Sequence, residues 1–224
     1  MRKVLSILTA LLLSVCGLAF ILDNITDSGL MRSLMERYAP PETTGLPASE
    51  YTPVTEMIDG YIHGEAQTFQ HIFTVNGAEY AAFNQKEQRH MADVQQLFRL
   101  CDGQIWAIVT IAAVAVIAEC RLFSDVRTLR AFRGTLLAIL ALVTALIVLA
   151  CIDFDGLFRL FHRVAFTNDL WLLDPRTDLL IRLMPLSFFI SYAALIGVLW
   201  LAGMAALLAA TTLLIRKKKT NEGE

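Results

Sequence analysis

Residues 134–152 read GTLLAILALVTALIVLACI, 19 positions without a single charged side chain. At 1.5 Å per residue such a helix is about 28 Å long, close to the roughly 30 Å hydrocarbon core of a bilayer. Working outward, three more segments have the same character. Residues 4–22 form an uninterrupted apolar run, and 105–118 form a shorter one that extends back through Gln104 and Gly103. Residues 183–215 contain 33 uncharged positions, about 50 Å of helix, so this segment tilts or begins outside the hydrocarbon. Pro185 marks a helix start. The reading is therefore four transmembrane helices, at about 4–22, 103–120, 134–152 and 185–215. At the end of the second, Glu119 and Arg121 are expected to snorkel to the interface.

Composition agrees. Of the 224 residues 56% are apolar and the mean hydropathy is +0.55, whereas a soluble domain lies near 45–50% apolar. The net charge of −2 provides no basic surface for neutralising phosphates, which argues against a nucleic-acid partner.

Basic residues set the orientation. Ten of the 19 lie at the termini and in 119–133, including Arg127, Arg130, Arg133 and the run Arg216-Lys217-Lys218-Lys219. The remaining nine are spread over 112 residues in two longer loops. Both termini are thus expected in the cytoplasm, with loops 23–102 and 153–184 outside. Arg2-Lys3 and the following apolar run resemble a signal peptide. However, no small-residue cleavage site follows Leu22, and Val15 is too bulky for a lipobox before Cys16, so the helix is read as uncleaved. Cys16, Cys101, Cys120 and Cys151 form no CxxC and are expected as free, buried thiols. The whole chain, 1–224, is read as one all-α membrane domain.

The outer loops carry all four histidines, His63, His71, His90 and His162. Residues 39–53 hold four of the six prolines and read as a loop. From Asn84 the pattern becomes helical. Asn84 and Glu87 have capping-box spacing, and Met91, Val94, Leu97 and Phe98 make an apolar stripe on a helix that lies at the interface or packs on its neighbours. His90 lies beside that stripe with Asp93 three residues on. A carboxylate there can hold one imidazole nitrogen and leave the other basic, although an ordinary surface pair has the same spacing. In the second loop Asp155-Gly156 starts a short, greasy helix carrying His162, with Arg159 and Arg163 on either side. Too short to span, it is expected to lie at the membrane surface, where the arginines bind lipid phosphate or anchor the interface. Trp171 suits the headgroup level. Asp174-Pro175 is expected to cap a further helix with Asp178 and Arg182 as an oppositely charged i,i+4 pair.

Two imidazoles beside lipid-facing surface suggest chemistry on a lipid headgroup or ester, because neutral imidazole is the usual proton carrier near pH 7. There is no G-x-S-x-G elbow or H-E-x-x-H, and the histidine spacing is not diagnostic of zinc, so no metal is assigned.

Phe83-Asn84, Glu87, His90-Met91 and Asp93-Val94, followed by Phe158, Phe161-His162, Phe166, Trp171, Pro175, Asp178 and Pro185, resemble the lipoprotein intramolecular transacylase (Lit) family. The resemblance implies a multi-pass bacterial membrane acyltransferase acting at the outer leaflet, with membrane phospholipids around it. Its substrate is a lipoprotein with an S-diacylglyceryl cysteine exposed by signal-peptide removal. The sn-2 acyl chain moves to the α-amine of that cysteine, giving the lyso form, N-acyl-S-monoacylglyceryl, with no cofactor. His90 and His162 match the family's expected catalytic pair, and the resemblance assigns no role to His63 or His71. Glu87, Asp93, Arg159, Arg163, Trp171, Asp178 and Arg182 are taken as supporting or substrate-binding. For the pair that the resemblance implies, the expectation is that His90, oriented by Asp93, is the base and His162 stabilises charge or protonates the leaving alkoxide, or that the two roles are exchanged. Rival readings are a non-enzymatic sensor or adaptor working through the outer segment, and an interfacial lipid hydrolase. A transporter is disfavoured by the lack of ionisable groups along the middles of the spans.

Overall fold

The structure, a computed structural model, describes residues 2–25, 27–120 and 125–221. Arg121 lies outside the described residues, as do the side chains of Cys101 and Cys120. The elements run α1 (Arg2–Ile25), α2 (Ser28–Tyr38), α3 (Pro41–Thr44), a 3-10 turn (Ala48–Glu50) and α4 (Tyr51–Ile62). They continue with β1 (Ile72–Val75), β2 (Ala78–Ala81), α5 (Gln85–Cys120), α6 (Val126–Ile152), α7 (Phe154–Ala165), α8 (Leu179–Leu183) and α9 (Leu186–Asn221). Among the described residues, α1, α5, α6 and α9 are long and apolar enough to cross a membrane. The four expected spans fall on these helices, which makes this a multi-pass membrane protein.

The chain packs as two compact units. One comprises Met1–Asp23, Gly103–Ile152 and Leu195–Glu224, and is built from the apolar lengths of the four long helices. Its core gathers Ala10, Phe132, Leu136, Trp200 and Met204. Trp200 donates its indole N–H to the Ser14 carbonyl at 3.0 Å, and the Ser6 hydroxyl donates to the Thr128 carbonyl at 2.9 Å. Leu142, Val148 and Leu149 stay exposed, which is the surface lipid requires. Glu119 is buried. One expectation fails in this unit. Of the thiols expected to be buried, Cys16 is half-buried and Cys151 exposed, because a helix in a loose apolar bundle turns much of its circumference to lipid.

The other unit comprises Asn24–Asp102 and Asp153–Ala194. Its core includes Met35, Tyr51, Ile58, Phe83 and Leu183, each at most 1% exposed, and such burial contributes about 1.5–3 kcal/mol per large apolar side chain. The proline-rich stretch, expected as a loop, instead contributes α3, the 3-10 turn and the start of α4, since proline is compatible with a first helical turn. A hairpin interrupts the otherwise helical fold. β1 and β2 pair antiparallel with Ile72 opposite Ala81, and Asn76 and Gly77 turn between them with φ of 52° and 81°. Both central residues of a tight hairpin turn need positive φ, which Asn-Gly supplies at little cost.

The polar helix expected from Asn84 continues without a break into the second span as α5. Met91 is buried, and Val94 and Phe98 pack against the core, so the stripe faces protein. α7 begins one residue earlier than expected, because Asp153 is its N-cap and accepts the Gly156 N–H at 2.8 Å. Any side chain at Gly156 would collide with that carboxylate. Asp174-Pro175 forms a turn; the helix after it, α8, has Asp178 at its N-cap position.

Candidate active site

The polar half of α5 presents His90, and α7 presents His162. The two-sided character of α7 is plain from its exposures: Leu157, Leu160, Phe161 and Val164 are exposed while His162 is only 8% exposed. His90, at 7%, is equally enclosed. The two rings lie with centroids 6.2 Å apart and planes inclined by 35°. Phe166, one turn beyond His162, covers both, with centroids 5.4 Å from His90 and 5.6 Å from His162. Phe158 at 4.3 Å, Trp171 at 5.0 Å and Phe161 at 5.2 Å complete an aromatic enclosure of His162.

The imidazoles are held differently. His162 Nδ1 lies 2.8 Å from the Phe158 carbonyl. A carbonyl can only accept, so Nδ1 carries the proton and Nε2 keeps its lone pair. His90 Nδ1 is buried and has no hydrogen-bond partner among the described residues. Burial lowers the pKa of both. For His90, desolvation is reinforced by His162 and by Lys86, is opposed by Asp93, and brings the value to about 4. For His162 desolvation wins over the Phe158 hydrogen bond, which acts upward. Both rings are therefore neutral at pH 7, each with one donor and one acceptor nitrogen. Such a pair can remove a proton, return it, and donate to an oxyanion.

The expected Asp93–His90 hydrogen bond is not formed. Asp93 accepts from Asn168 Nδ2 at 2.9 Å. This is one of several ties between the start of α5, with its cap residue Asn84, and the segment after α7. Lys86 Nζ donates to the Leu172 carbonyl, and Asn84 Nδ2 donates to Asp178 at 2.8 Å. Glu87 is 1% exposed and bridges backbone to backbone, accepting Asn84 N–H at 2.7 Å and Leu180 N–H at 2.6 Å. The capping box is thus present, with a second duty for its acid. Burial raises the Glu87 pKa, with those backbone donors acting against it. Burial also pushes Asp178 upward, but Asp174 N–H, Thr177 Oγ1, Asn84 and Lys86 together hold it below its usual value.

Asp178 and Arg182 do not form the expected ion pair. Asp178 faces the groups just named, whereas Arg182 donates Nη1 to the Thr44 carbonyl at 2.7 Å and Nε to the Asp178 backbone carbonyl at 3.4 Å. Arg159 pairs with Asp155 at 2.8 Å on the exposed side of α7, and Arg163 is exposed. Trp171, expected at the headgroup level, is part of the His162 enclosure. His63 and His71 stand with carboxylates, Asp59 at 3.0 Å and Glu50 at 2.8 Å, and take no part in the pair. Asn168 and Lys86 were not anticipated. Lone polar residues contacting partners some 75 and 86 positions away leave no trace in local spacing. Phe166 was within reach, since it follows His162 at i+4 and shares its face.

A family model described as lipoprotein intramolecular transacylase Lit matches residues 4–189. Two solved structures share the fold, both of the membrane integral lipoprotein intramolecular transacylase Lit from Bacillus cereus. One is 19% identical with a TM-score of 0.74, and covers 98% of this chain and 96% of that one. The other, of a histidine-to-alanine mutant, is 18% identical with a TM-score of 0.73 and the same coverage. No curated protein matches.

Proposed function

This chain belongs to the lipoprotein intramolecular transacylase (Lit) family, and from that premise we propose that His162 and His90 are the catalytic pair, with His162 as the base. The enzyme is an acyltransferase whose reaction is an intramolecular transacylation of a lipoprotein. The substrate is an S-diacylglyceryl cysteine with a free α-amine, and the sn-2 chain moves from glycerol oxygen to that nitrogen.

The observation that carries the assignment is the hydrogen bond from His162 Nδ1–H to the Phe158 carbonyl, which leaves Nε2 as an oriented lone pair. An ammonium cannot attack an ester, but a free α-amine has a pKa of about 7.7–8.0, so it gives up its ammonium proton to solvent near neutral pH. The neutral amine nitrogen then bonds to the ester carbonyl carbon while the neutral imidazole takes one of its two remaining protons. As the tetrahedral intermediate collapses, the bond to glycerol oxygen breaks and the imidazolium returns the proton to the leaving alkoxide. The products are an amide and a glycerol hydroxyl, and the enzyme is regenerated. His90, neutral in its enclosure, donates an N–H to the oxyanion, as suits a ring kept from protonation by burial. Nucleophile and ester belong to one molecule, so holding them together lowers the barrier by several kcal/mol, within the roughly 7–11 kcal/mol available to well-oriented groups. Asn84, Lys86, Glu87, Asp93, Asn168 and Asp178 act by fixing α5 against the segment after α7. Exposed Leu157, Leu160, Phe161 and Val164 seat α7 in the outer leaflet, with Arg159 and Arg163 near lipid phosphate and both termini cytoplasmic, as the basic residues favour.

The test is transacylation of a synthetic diacylglyceryl lipopeptide by purified protein, with the N-acylated cysteine identified by mass spectrometry. Free fatty acid in its place would make the enzyme a hydrolase. Undiminished N-acylation by well-folded His90→Ala and His162→Ala proteins would remove the pair from the chemistry.

A further inference from the structure

At the start of α5 lies a cavity of about 420 Å³, within the usual range for a ligand site. Leu46, Phe73, Tyr80 and Ala81 form much of its wall, and Thr44, Asn84, Glu87, Thr177 and Arg182 are among its polar members. We propose that this cavity binds the polypeptide of the lipoprotein just beyond its modified cysteine, as an extended segment along the free edge of β2 with Arg182 facing it. The inference rests on the reading of His90 and His162 as the reacting site.

Three observations converge on a peptide. The first is continuity. Glu87 lines the cavity and stands three residues before His90 on α5, a spacing that puts side chains about 5–6 Å apart. The reacting amine and the first peptide carbonyl are attached to the same α-carbon, so a cysteine positioned at the imidazoles sends its chain away from them, and the cavity begins one helical turn from His90 at Glu87. An extended chain advances about 3.3–3.6 Å per residue, so two to four residues cross the cavity.

The second is the strand edge. Ala82 N–H donates to the His71 carbonyl at 2.8 Å, which sets the alternation of the ladder. With Tyr80 opposite Phe73 in the same phase, the backbone groups of Glu79 and Ala81 point away from β1. Ala81 therefore presents an N–H and a carbonyl at the cavity wall, and an unpaired edge of this kind is a template for an added strand.

The third is charge. No carboxylate among the described residues lies within 4.0 Å of Arg182, and its contacts are the two backbone carbonyls already named. Both oxygens of Glu87, the acid lining the same cavity, are taken by backbone N–H groups. The cavity accordingly favours acidic or neutral side chains and opposes lysine. A guanidinium and a bare strand edge are also a poor wall for an acyl chain, because polar groups buried against hydrocarbon lose their partners.

The test uses the full chain in lipid nanodiscs and diacylglyceryl cysteine substrates. One is the cysteine amide alone; the others are tetrapeptides with Asp or with Lys at the second and third positions. The tetrapeptides should exceed the cysteine amide in kcat/KM by about tenfold, the yield of one or two added hydrogen bonds. The Asp peptide should exceed the Lys peptide by about fivefold. Arg182→Glu should reverse that preference and Arg182→Lys keep it, while Ala81→Pro, which removes a donor at an edge position open to proline, should shrink the gain with length. Equal rates for all substrates on the unaltered enzyme would overturn the inference and leave acyl transfer standing. No N-acylation of any substrate would overturn the reading of the reaction instead. If the variants fail to fold, a photoreactive side chain at the third peptide position decides on the unaltered enzyme. Crosslinks to residues 79–83 support the cavity, and crosslinks confined elsewhere overturn it.

Discussion

His90 and His162 face one another across 6.2 Å, yet they are held in unlike ways. One sits on the polar half of a long helix, with its Nδ1 buried and without a partner among the described residues; the other rides a short amphipathic helix with its Nδ1 bonded to a carbonyl of that same helix. The difference separates two kinds of imidazole within the proposed pair. A ring whose tautomer is dictated by its own backbone is suited to take and return protons through one defined nitrogen. A ring enclosed by burial is suited to stay neutral and donate.

The sharpest way to break this contrast is to delete each ring. His162→Ala should cost about 10²–10⁴ in rate, the worth of a positioned general base. His90→Ala should cost about 10²–10³, as for an oxyanion donor. Both are read as N-acylated lipopeptide formed per minute. Glutamine sharpens the comparison further, since an amide donates but is no base. His90→Gln should recover about tenfold over His90→Ala and His162→Gln nothing, and the reverse order would exchange the two roles.

A pH profile is the next test. Because burial lowers the His90 pKa to about 4 and lowers that of His162, neither ring should add a break near 6.5. The acid limb should instead follow the substrate amine near about 7.7–8.0. For stability the sign is fixed by the lowered folded pKa. Below about 6.5 the unfolded chain binds protons the folded one refuses, so stability falls between about 6.5 and 4 as pH drops. Thermal melts across that range check it.

Smaller effects belong to the supports. Glu87→Ala strands two backbone donors and should cost about 1–3 kcal/mol of stability, visible in a melt, with activity recovering at lower temperature. Asp93→Ala should change the rate by less than about threefold, because its hydrogen bond goes to exposed Asn168, and such contacts contribute little. A hundredfold loss would restore Asp93 as the group that orients His90.

The spans and the site were not equally legible. Residues 134–152 announce themselves because a bilayer demands a long, uncharged run, and length alone decides the reading. His90, His162 and the Asn84–Glu87 cap were also readable, each being a local pattern on one helix. What could not be read were the joins. Asn84 to Asp178, Lys86 to Leu172 and Asp93 to Asn168 connect positions far apart in the chain, and a polar residue does not reveal its distant partner. Proximity at i,i+3 suggested Asp93 for His90 where the folded chain uses that carboxylate for Asn168. The prolines between 39 and 53 misled for another reason: the same residue that breaks a helix interior is well suited to a first turn.

Val164, 80% exposed, lies two positions from His162 on the same twelve-residue helix. On the proposed seating of α7, the greasy side of that helix meets whatever solubilises the protein, and the proton on the ring opposite depends on the helix staying wound. A harsh detergent that loosens α7 would release the Phe158 carbonyl and let the imidazole choose its tautomer freely. With His162 as the proposed base, the surrounding amphiphile would then act as a reagent, and turnover measured in micelles and in bilayers would compare two differently poised imidazoles.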